Sequence, residues 1–384
     1  MATTNVYNAG TDASAGANTV THYYDRAGVK AANRVNIYGQ FADRKSMPKK
    51  SGKTFKISKF MHMYDRTTDD VEFSDKGYLS ARTIDEVNAA IASATLAEGA
   101  LAVNKKTLTK VTMETTQARY GEMIDYSDEV ELFSEDAMQV RYREELGELA
   151  NSRMEDLIQI DMLSTGTVLY AGSATAIEEV DEDSIVSYDL IRKAVRKLVR
   201  NRATKNTTMV VGSTKIDTKT VAKAYYAIIG ANVKGDLENL TRGTDYAKEY
   251  VYVPSHKYGS AATLAEGEVG AMHEVRFLES ESAVIYGGEG AAATTANVGS
   301  LSYTGTLDTT AKFDVFPILF PTQGAFATVG LKGQGKIKFN SQSPAVVENA
   351  NPYGTNGFFS YNFFYAGIIL QEEKLLKVLV SASA

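Results

Sequence analysis

The 384-residue chain has no cysteine, no tryptophan, only 6 prolines and only 4 histidines. Without cysteine there is no disulfide, no thiolate metal site and no cysteine nucleophile, so the fold must be stable without covalent staples. The histidines are His22, His62, His256 and His273, and no two of them stand at metal-ligand spacing. A histidine without a partner defines no mechanism, so each reads as a surface or core residue. His273 and Glu274 are adjacent, but neighbours on a strand face opposite sides. Excess positive charge is also missing. Asp and Glu number 47 against 41 Lys and Arg, giving a net charge of −6, which argues against a dedicated nucleic-acid binder while leaving room for a local basic face.

Long apolar runs are missing too. The longest clear one, Phe363 to Leu370, is far shorter than the roughly 20 residues a membrane helix needs. Met1 to Val20 is small and polar, with no basic region followed by an apolar stretch, so no signal peptide is read. No G-x-S-x-G occurs, and paired carboxylates cannot be recognised by spacing alone. The enzyme reading has no positive support: no catalytic, cofactor-binding or metal-ligating residue is assigned, and no cofactor is expected.

What the chain does have is concentrated at its end. Phe358, Phe359, Tyr361, Phe363, Phe364, Tyr365, Ile368, Ile369 and Leu370 are followed by Leu375, Leu376, Val378, Leu379 and Val380. Chain ends fray unless something ties them down. Aromatic and β-branched enrichment predicts two strands here, Phe358–Leu370 and Leu375–Val380, so the chain should finish inside a sheet.

Earlier segments read as follows. Met1–Thr21 is a flexible arm of small residues, and Tyr23–Ala42 has helical spacing. Thr54–Tyr64 and Thr107–Tyr126 are strands flanking an Ala-rich segment with a short helix near Ile84–Ala94. The block Pro48–Tyr126 is too poor in large aliphatic residues to bury a core of its own, and a two-stranded excursion of this kind must lie on something else. Glu135–Leu163 is the strongest helix, with Ser134 as N-cap and Tyr142, Leu146, Leu149, Ala150, Met154, Leu157, Ile158 and Met162 at helical spacing. Thr167–Val180 is strand or loop. Ser187–Arg202 is a second helix capped by Ser187, Met209–Gly212 a short buried strand, and Thr218–Gly230 a third helix ended by Gly230. Pro317–Thr328 and Lys336–Asn340 are strands, and Gly259–Gly270 and Gly287–Ser300 are small-residue loops. Helices and strands mix without regular alternation, which predicts an α+β fold.

Three motifs invite chemistry. Ser51-Gly52-Lys53-Thr54 resembles the end of a phosphate loop, but Met47 stands where that pattern needs glycine and a strand follows, so it reads as a glycine turn. Glu178-Glu179-Val180-Asp181-Glu182-Asp183 lacks the alternating ligands and mid-loop glycine of a calcium loop and reads as a solvated acidic loop. Arg192, Lys193, Arg196, Lys197, Arg200, Arg202 and Lys205 make the outer face of the second helix basic. That face suits phosphates or an acidic protein, or it is ordinary solvated surface. No interleaved aromatics support base stacking.

Four segments, taken in order, resemble the major capsid proteins of tailed phages, in particular the branch of N-four-like podophages. They are Met47 to Ile57, Arg119-Tyr120-Gly121-Glu122-Met123-Ile124-Asp125-Tyr126-Ser127-Asp128, Gly267 to Ser280, and Phe358 to Val380 with Tyr365-Ala366-Gly367-Ile368-Ile369-Leu370. The resemblance implies a Hong Kong 97-like capsid fold. Its parts would be an N-terminal arm and short helix (1–47), an extended β-hairpin loop (48–126), a peripheral domain with a long spine helix (127–186), an axial domain (187–340) and closing strands (341–384). Relatives often carry a tryptophan near the last strands, where this chain offers Phe358 or Phe359. The implied function is self-assembly into hexamers and pentamers of an icosahedral shell enclosing phage double-stranded DNA. Assembly would take place in the host cytoplasm, with a separate scaffolding protein, a portal and a decoration protein as partners, non-specific contact with packaged DNA, and no membrane. A cellular nanocompartment shell of the same fold and a soluble hydrolase are the alternatives, separated by particle contents and by light scattering.

Overall fold

The computed structural model describes residues 36–60, 84–96, 98–99, 108, 110–133, 138–210, 218–240, 252–258, 264–332, 337–347 and 351–384. The arm Met1–Thr21, the first part of the 23–42 segment, His22, His62 and the cap Ser134 lie outside these residues.

Strands β1 (Asp43–Met47) and β2 (Thr54–Phe60) precede helix α1 (Ile84–Ala92). Strands β3 (Lys110–Thr116) and β4 (Ala118–Ser127) lead through helix α2 (Asp128–Phe133) into the long helix α3 (Met138–Leu163). Next come β5 (Val168–Tyr170), α4 (Tyr188–Arg200), β6 (Asn206–Val210), β7 (Thr218–Ile229), α5 (Ala231–Glu238), β8 (Val253–Pro254), β9 (Glu268–Met272) and β10 (Val275–Glu279). The chain closes with β11 (Tyr303–Thr304), β12 (Lys312–Phe313), β13 (Phe316–Pro321), β14 (Phe326–Leu331), β15 (Lys338–Gln342), β16 (Asn356–Tyr365), β17 (Gly367–Ile369) and β18 (Leu375–Val380). The class is α+β.

The centre is an eight-stranded mixed sheet in the order β5-β18-β13-β7-β10-β9-β8, with β6 also paired to β7. Alternation along its strands feeds two cores. On one face Tyr225, Ala227 and Ile229 of β7, Phe316, Ile318 and Phe320 of β13, and Leu376, Val378 and Val380 of β18 pack under α4 and α5. On the other, Tyr226, Ile228, Leu319 and Leu375 pack with Leu146, Ile158 and Met162 of α3. Pro317 and Pro321 have no N–H, and the β13–β7 pairing is confined to Leu319 opposite Ile228.

This arrangement corrects one expectation. Thr218–Gly230 is not a helix but β7, paired parallel to β10 from Tyr225↔Val275 to Ile229↔Glu279. Val221, Ala224, Tyr225 and Ile228 fit a helical stripe, but they belong to a strand buried on both faces, which reads as a continuous apolar run rather than an alternation. Gly230 precedes α5 as its N-cap instead of ending a helix. Other boundaries moved for local reasons. Thr107–Tyr126 divides at Gln117, because β3 pairs with β2 while β4 pairs with β16 over ten positions. Phe358–Leu370 divides at Ala366, and Pro317–Thr328 at the turn containing Gly324, whose φ is 71°. The described end of the 23–42 segment is a 3-10 turn, Tyr38–Phe41, followed by β1, which runs parallel to β14. Part of the expected 259–270 loop is β9, and the short strand near Met209 starts earlier, at Asn206.

Helix α3 is tied to the chain start through its own polar residues. The Glu155 carboxylate, 2% exposed, accepts from the Tyr38 N–H at 2.5 Å and the Gly39 N–H at 3.2 Å. At its other end Asp161 accepts from the Tyr365 hydroxyl at 2.7 Å, and burial raises the Asp161 pKa above the usual carboxylate value. Between β12 and β13, Asp314 organises the loop 286–313. It accepts from Gly288 N, Ser302 Oγ and Thr304 Oγ1 at 2.8, 2.7 and 2.7 Å.

Strand β16 alternates strictly. Phe359, Tyr361, Phe363 and Tyr365 are buried and stack in a ladder, with Tyr361 and Phe363 centroids 6.1 Å apart and Tyr126 5.4 Å from Phe359. The phenols in this fold carry a pH liability. Tyr226 and Tyr252 are pushed up to about 12, chiefly by burial, and so is Tyr361 beside Glu122. A folded pKa above the unfolded value near 10 means the contribution to stability is complete below about pH 10 and is lost as pH rises through about 12. Urea midpoints should therefore hold steady from pH 7 to 9 and fall between pH 10 and 12. An unchanged midpoint at pH 12 would contradict this.

Candidate assembly surfaces

The residues singled out by sequence do not converge. His256 is exposed in a 3-10 turn, and His273 is exposed in the tight turn between β9 and β10, with φ 57°. His273 is thus not on a strand, as expected, because the chain reverses at that point; its ring meets Tyr188 edge-on at 6.4 Å. Among the described residues no group of three or more His, Asp or Glu could hold a metal ion. Ser51-Gly52-Lys53-Thr54 is a turn opening β2, with Gly52 at φ 82°. Its neighbours Lys49, Lys50 and Lys53 line a cleft together with Arg119, Leu331 and Phe364.

The basic helix is α4. Ser187 caps it, its Oγ accepting from Leu190 N at 3.2 Å, and Leu190, Ile191, Ala194, Val195 and Leu198 are buried as expected. Five of the seven cations lie on α4 itself, and Lys197 and Lys205 are bound to other elements. Lys197 donates to the Val168 carbonyl at 2.8 Å, and Lys205 pairs with Glu274 at 2.9 Å. The acidic run is a rigid turn. Glu179 accepts from both the N–H and hydroxyl of Thr175, which lowers its pKa, and Asp181 accepts from Ser184 Oγ at 2.8 Å.

The main surface feature was not visible as a motif. Folding leaves large apolar side chains unburied on several faces. The β2–β3 ribbon has one side half-buried through Phe55, Ile57 and Met113 against Met47, Val329 and Ile368, and it is fixed by Lys59 to the buried Glu373 at 2.6 Å. Beyond that root Phe60 is 58% exposed. More exposed apolar side chains lie on the segments that flank the end of the β15-β16-β4 sheet, where Asp128 N bonds to Thr355 O at 2.8 Å and α2 begins. Leu132, Phe133, Val347 and Tyr353 are there 72, 83, 67 and 88% exposed. Asn351 bonds to the described backbone on both sides of it. Its amide nitrogen donates to the carbonyls of Pro344, Val346 and Asn356, and its oxygen accepts from Thr355 N and Asn356 N. Large apolar groups left in water in this way mark a contact surface.

Glycine in the Arg119–Asp128 segment has a direct reason. A Cβ on Gly121 would stand 2.5 Å from the Tyr361 carbonyl and 3.2 Å from Asn362 Cβ, so only glycine lets β4 approach β16 this closely.

A mixed-sheet subunit that leaves large apolar surface for others to cover fits the class of a structural shell protein. No family model matches the chain. It is 30% identical over 384 residues to the major capsid protein of Pseudomonas phage KPP21, spanning 95% of this chain and 93% of that protein. In fold it is similar to the capsid of Ralstonia phage GP4, with a TM-score of 0.62 at 12% identity over 98% of this chain and 99% of that one. It is also similar to the Cyanophage Pam1 capsid asymmetric unit, with a TM-score of 0.56 at 11% identity over 97% and 99%. The chain belongs to the major capsid proteins of tailed phages. It is a structural shell protein that associates with copies of itself, and its place is the virion capsid.

Proposed function

We propose that the chain has the Hong Kong 97-type fold and builds an icosahedral shell of hexamers and pentamers around double-stranded phage DNA, without enzymatic activity. The observation that carries this is the unburied apolar surface at Leu132, Phe133, Val347 and Tyr353, together with the half-buried ribbon β2–β3. A free subunit gains nothing from such surface, while repeated copies related by symmetry cover it. Residues 1–47 serve as arm, 48–126 as extended loop, 127–186 as peripheral domain around α3, 187–340 as axial domain and 341–384 as closing strands. Strand β4 belongs physically to the sheet of β16, so the extended loop proper is the β2–β3 ribbon and what lies between its strands. Assembly in the host cytoplasm uses a separate scaffolding protein, a portal and a decoration protein. Contact with packaged DNA runs through Lys and Arg without base readout, consistent with a net charge of −6 that does not grip the genome.

Electron microscopy of the chain expressed with its scaffolding partner should show closed shells. Persistent monomers under those conditions would refute the reading, and shells that hold a cargo enzyme and exclude DNA would reassign it to a cellular compartment. Replacing Phe133 and Tyr353 together with Ser should leave the circular dichroism unchanged while sharply lowering shell yield.

A further inference from the structure

We propose that the basic face of α4 docks the acidic turn 178–183 of a second copy, giving a head-to-tail contact between neighbouring subunits of the shell. Two surfaces of opposite sign exist on one chain and cannot satisfy each other. Arg192, Lys193, Arg196, Arg200 and Arg202 are exposed on α4 and its C-terminal turn, with Asp189 as the one acid within the helix. Arg192 is used locally, 3.7 Å from Asp189 and over the Tyr188 ring. Lys193, Arg196 and Arg200 have no hydrogen bond or ion pair with any described residue. In the acidic turn Glu178, Glu182 and Asp183 are exposed and their carboxylates are likewise without a described partner.

The sheet explains why these charges stay apart. Helix α4 packs with Leu376, Val378 and Val380, one face of β18. The acidic turn is pinned through Val180, fully buried with Val315 and Leu379, and Leu379 points to the other face of the same strand. Alternation along β18 therefore puts the cations and the anions on opposite sides of the sheet. The turn is held stiffly by Thr175, Ser184 and the bond from Ala291 N to Val180 O at 2.9 Å, so little ordering is needed on docking. Complementary patches on opposite faces of one subunit make a heterologous contact, the kind that closes rings. No exposed aromatic stands among these described cations for an unpaired base to stack on, and duplex phosphate is the competing occupant that the test below separates.

The reading rests on self-association, and its test is built so that the two can fail separately. The chain has no cysteine, so introduced pairs report contacts without background. The full chain carrying both Glu182→Cys and Arg196→Cys should give, on oxidation, a ladder of disulfide-linked multimers reaching beyond dimers, because an intramolecular bond would have to cross the sheet. Each single variant should stop at dimers. A double variant that yields only monomers and dimers, while still forming particles, overturns the docking proposal and leaves the shell reading intact. Added Lys193→Glu, Arg196→Glu and Arg200→Glu should cut particle yield about tenfold or more at low salt. Yield should return when that same chain also carries Glu178→Lys, Glu182→Lys and Asp183→Lys, since every head-to-tail contact then pairs opposite charges again. Normal assembly of the α4 variant combined with lost retention on a random DNA duplex would assign the face to packaged DNA and overturn the proposal.

Discussion

Truncation after Asn356 should abolish the soluble fold altogether. The missing residues carry Phe359, Tyr361, Phe363, Tyr365, Ile368, Leu375, Leu376, Val378, Leu379 and Val380, none more than 6% exposed. Burying each contributes about 1.5–3 kcal/mol in transfer terms, which together exceeds the roughly 5–15 kcal/mol net stability of a typical domain. The loss is architectural as well. Among the described residues β18 alone joins β5 to β13 in the main sheet, and β16 is the centre of the β15-β16-β4 sheet. Even the chain end is fastened, with Asp236 accepting from the N–H and hydroxyl of Ser383 and Ser302 N bonding to Ala382 O at 3.0 Å. The truncated chain should be insoluble or show unfolded circular dichroism, and Phe363→Ala in the full chain should cost about 3–5 kcal/mol. A truncated protein with native circular dichroism that still assembles would show the segment to be peripheral.

What could be read in advance followed from how locally each element is specified. The closing strands, α3 and α4 declare themselves because composition and periodicity agree within a short window. Ser187 caps α4 as its position before Tyr188 requires. Strand β7 misled because its environment is set by residues far away. Only the arrival of β10, β13 and β6 around it, with helices on both faces, makes Thr218–Ile229 a strand. Strand β1 went unread for a similar reason. Asp43-Arg44-Lys45-Ser46-Met47 has little strand signature and is held by its parallel partner β14. The capsid class was legible through ordered family segments, whereas the contact surfaces were not. Exposure is a property of the folded whole, and Leu132 or Val347 in sequence looks like any core residue. One missed signal was faint: Asn351, which bonds to the backbone on both sides of it. The charge clusters were read as runs in the sequence, and only the sheet shows that they lie apart.

Removing Arg276 should be among the most damaging single substitutions away from the closing strands. Glu268 on β9 has a side chain with 0% exposure, and Arg276 Nη1 on the adjacent β10 meets its Oε1 at 2.9 Å. The other carboxylate oxygen accepts from Ala265 N at 3.0 Å, and the guanidinium also covers the Tyr258 ring at 5.0 Å. The pair sits where β9 joins the sheet beside Tyr226, whose phenol is raised by burial and by Glu268 and lowered by Arg276. A buried ion pair is weak evidence of net stabilisation, because desolvation offsets attraction, but stripping away one partner leaves a charge with nowhere to go. Arg276→Met should therefore destabilise by about 3–5 kcal/mol in urea melts, with much of the loss recovered in the double variant Glu268→Gln with Arg276→Met. The alternative, that Arg276 matters only through its stacking on Tyr258, predicts the same loss in single and double variants. A double-mutant cycle separates the two, and a coupling energy near zero would rule out the charge explanation.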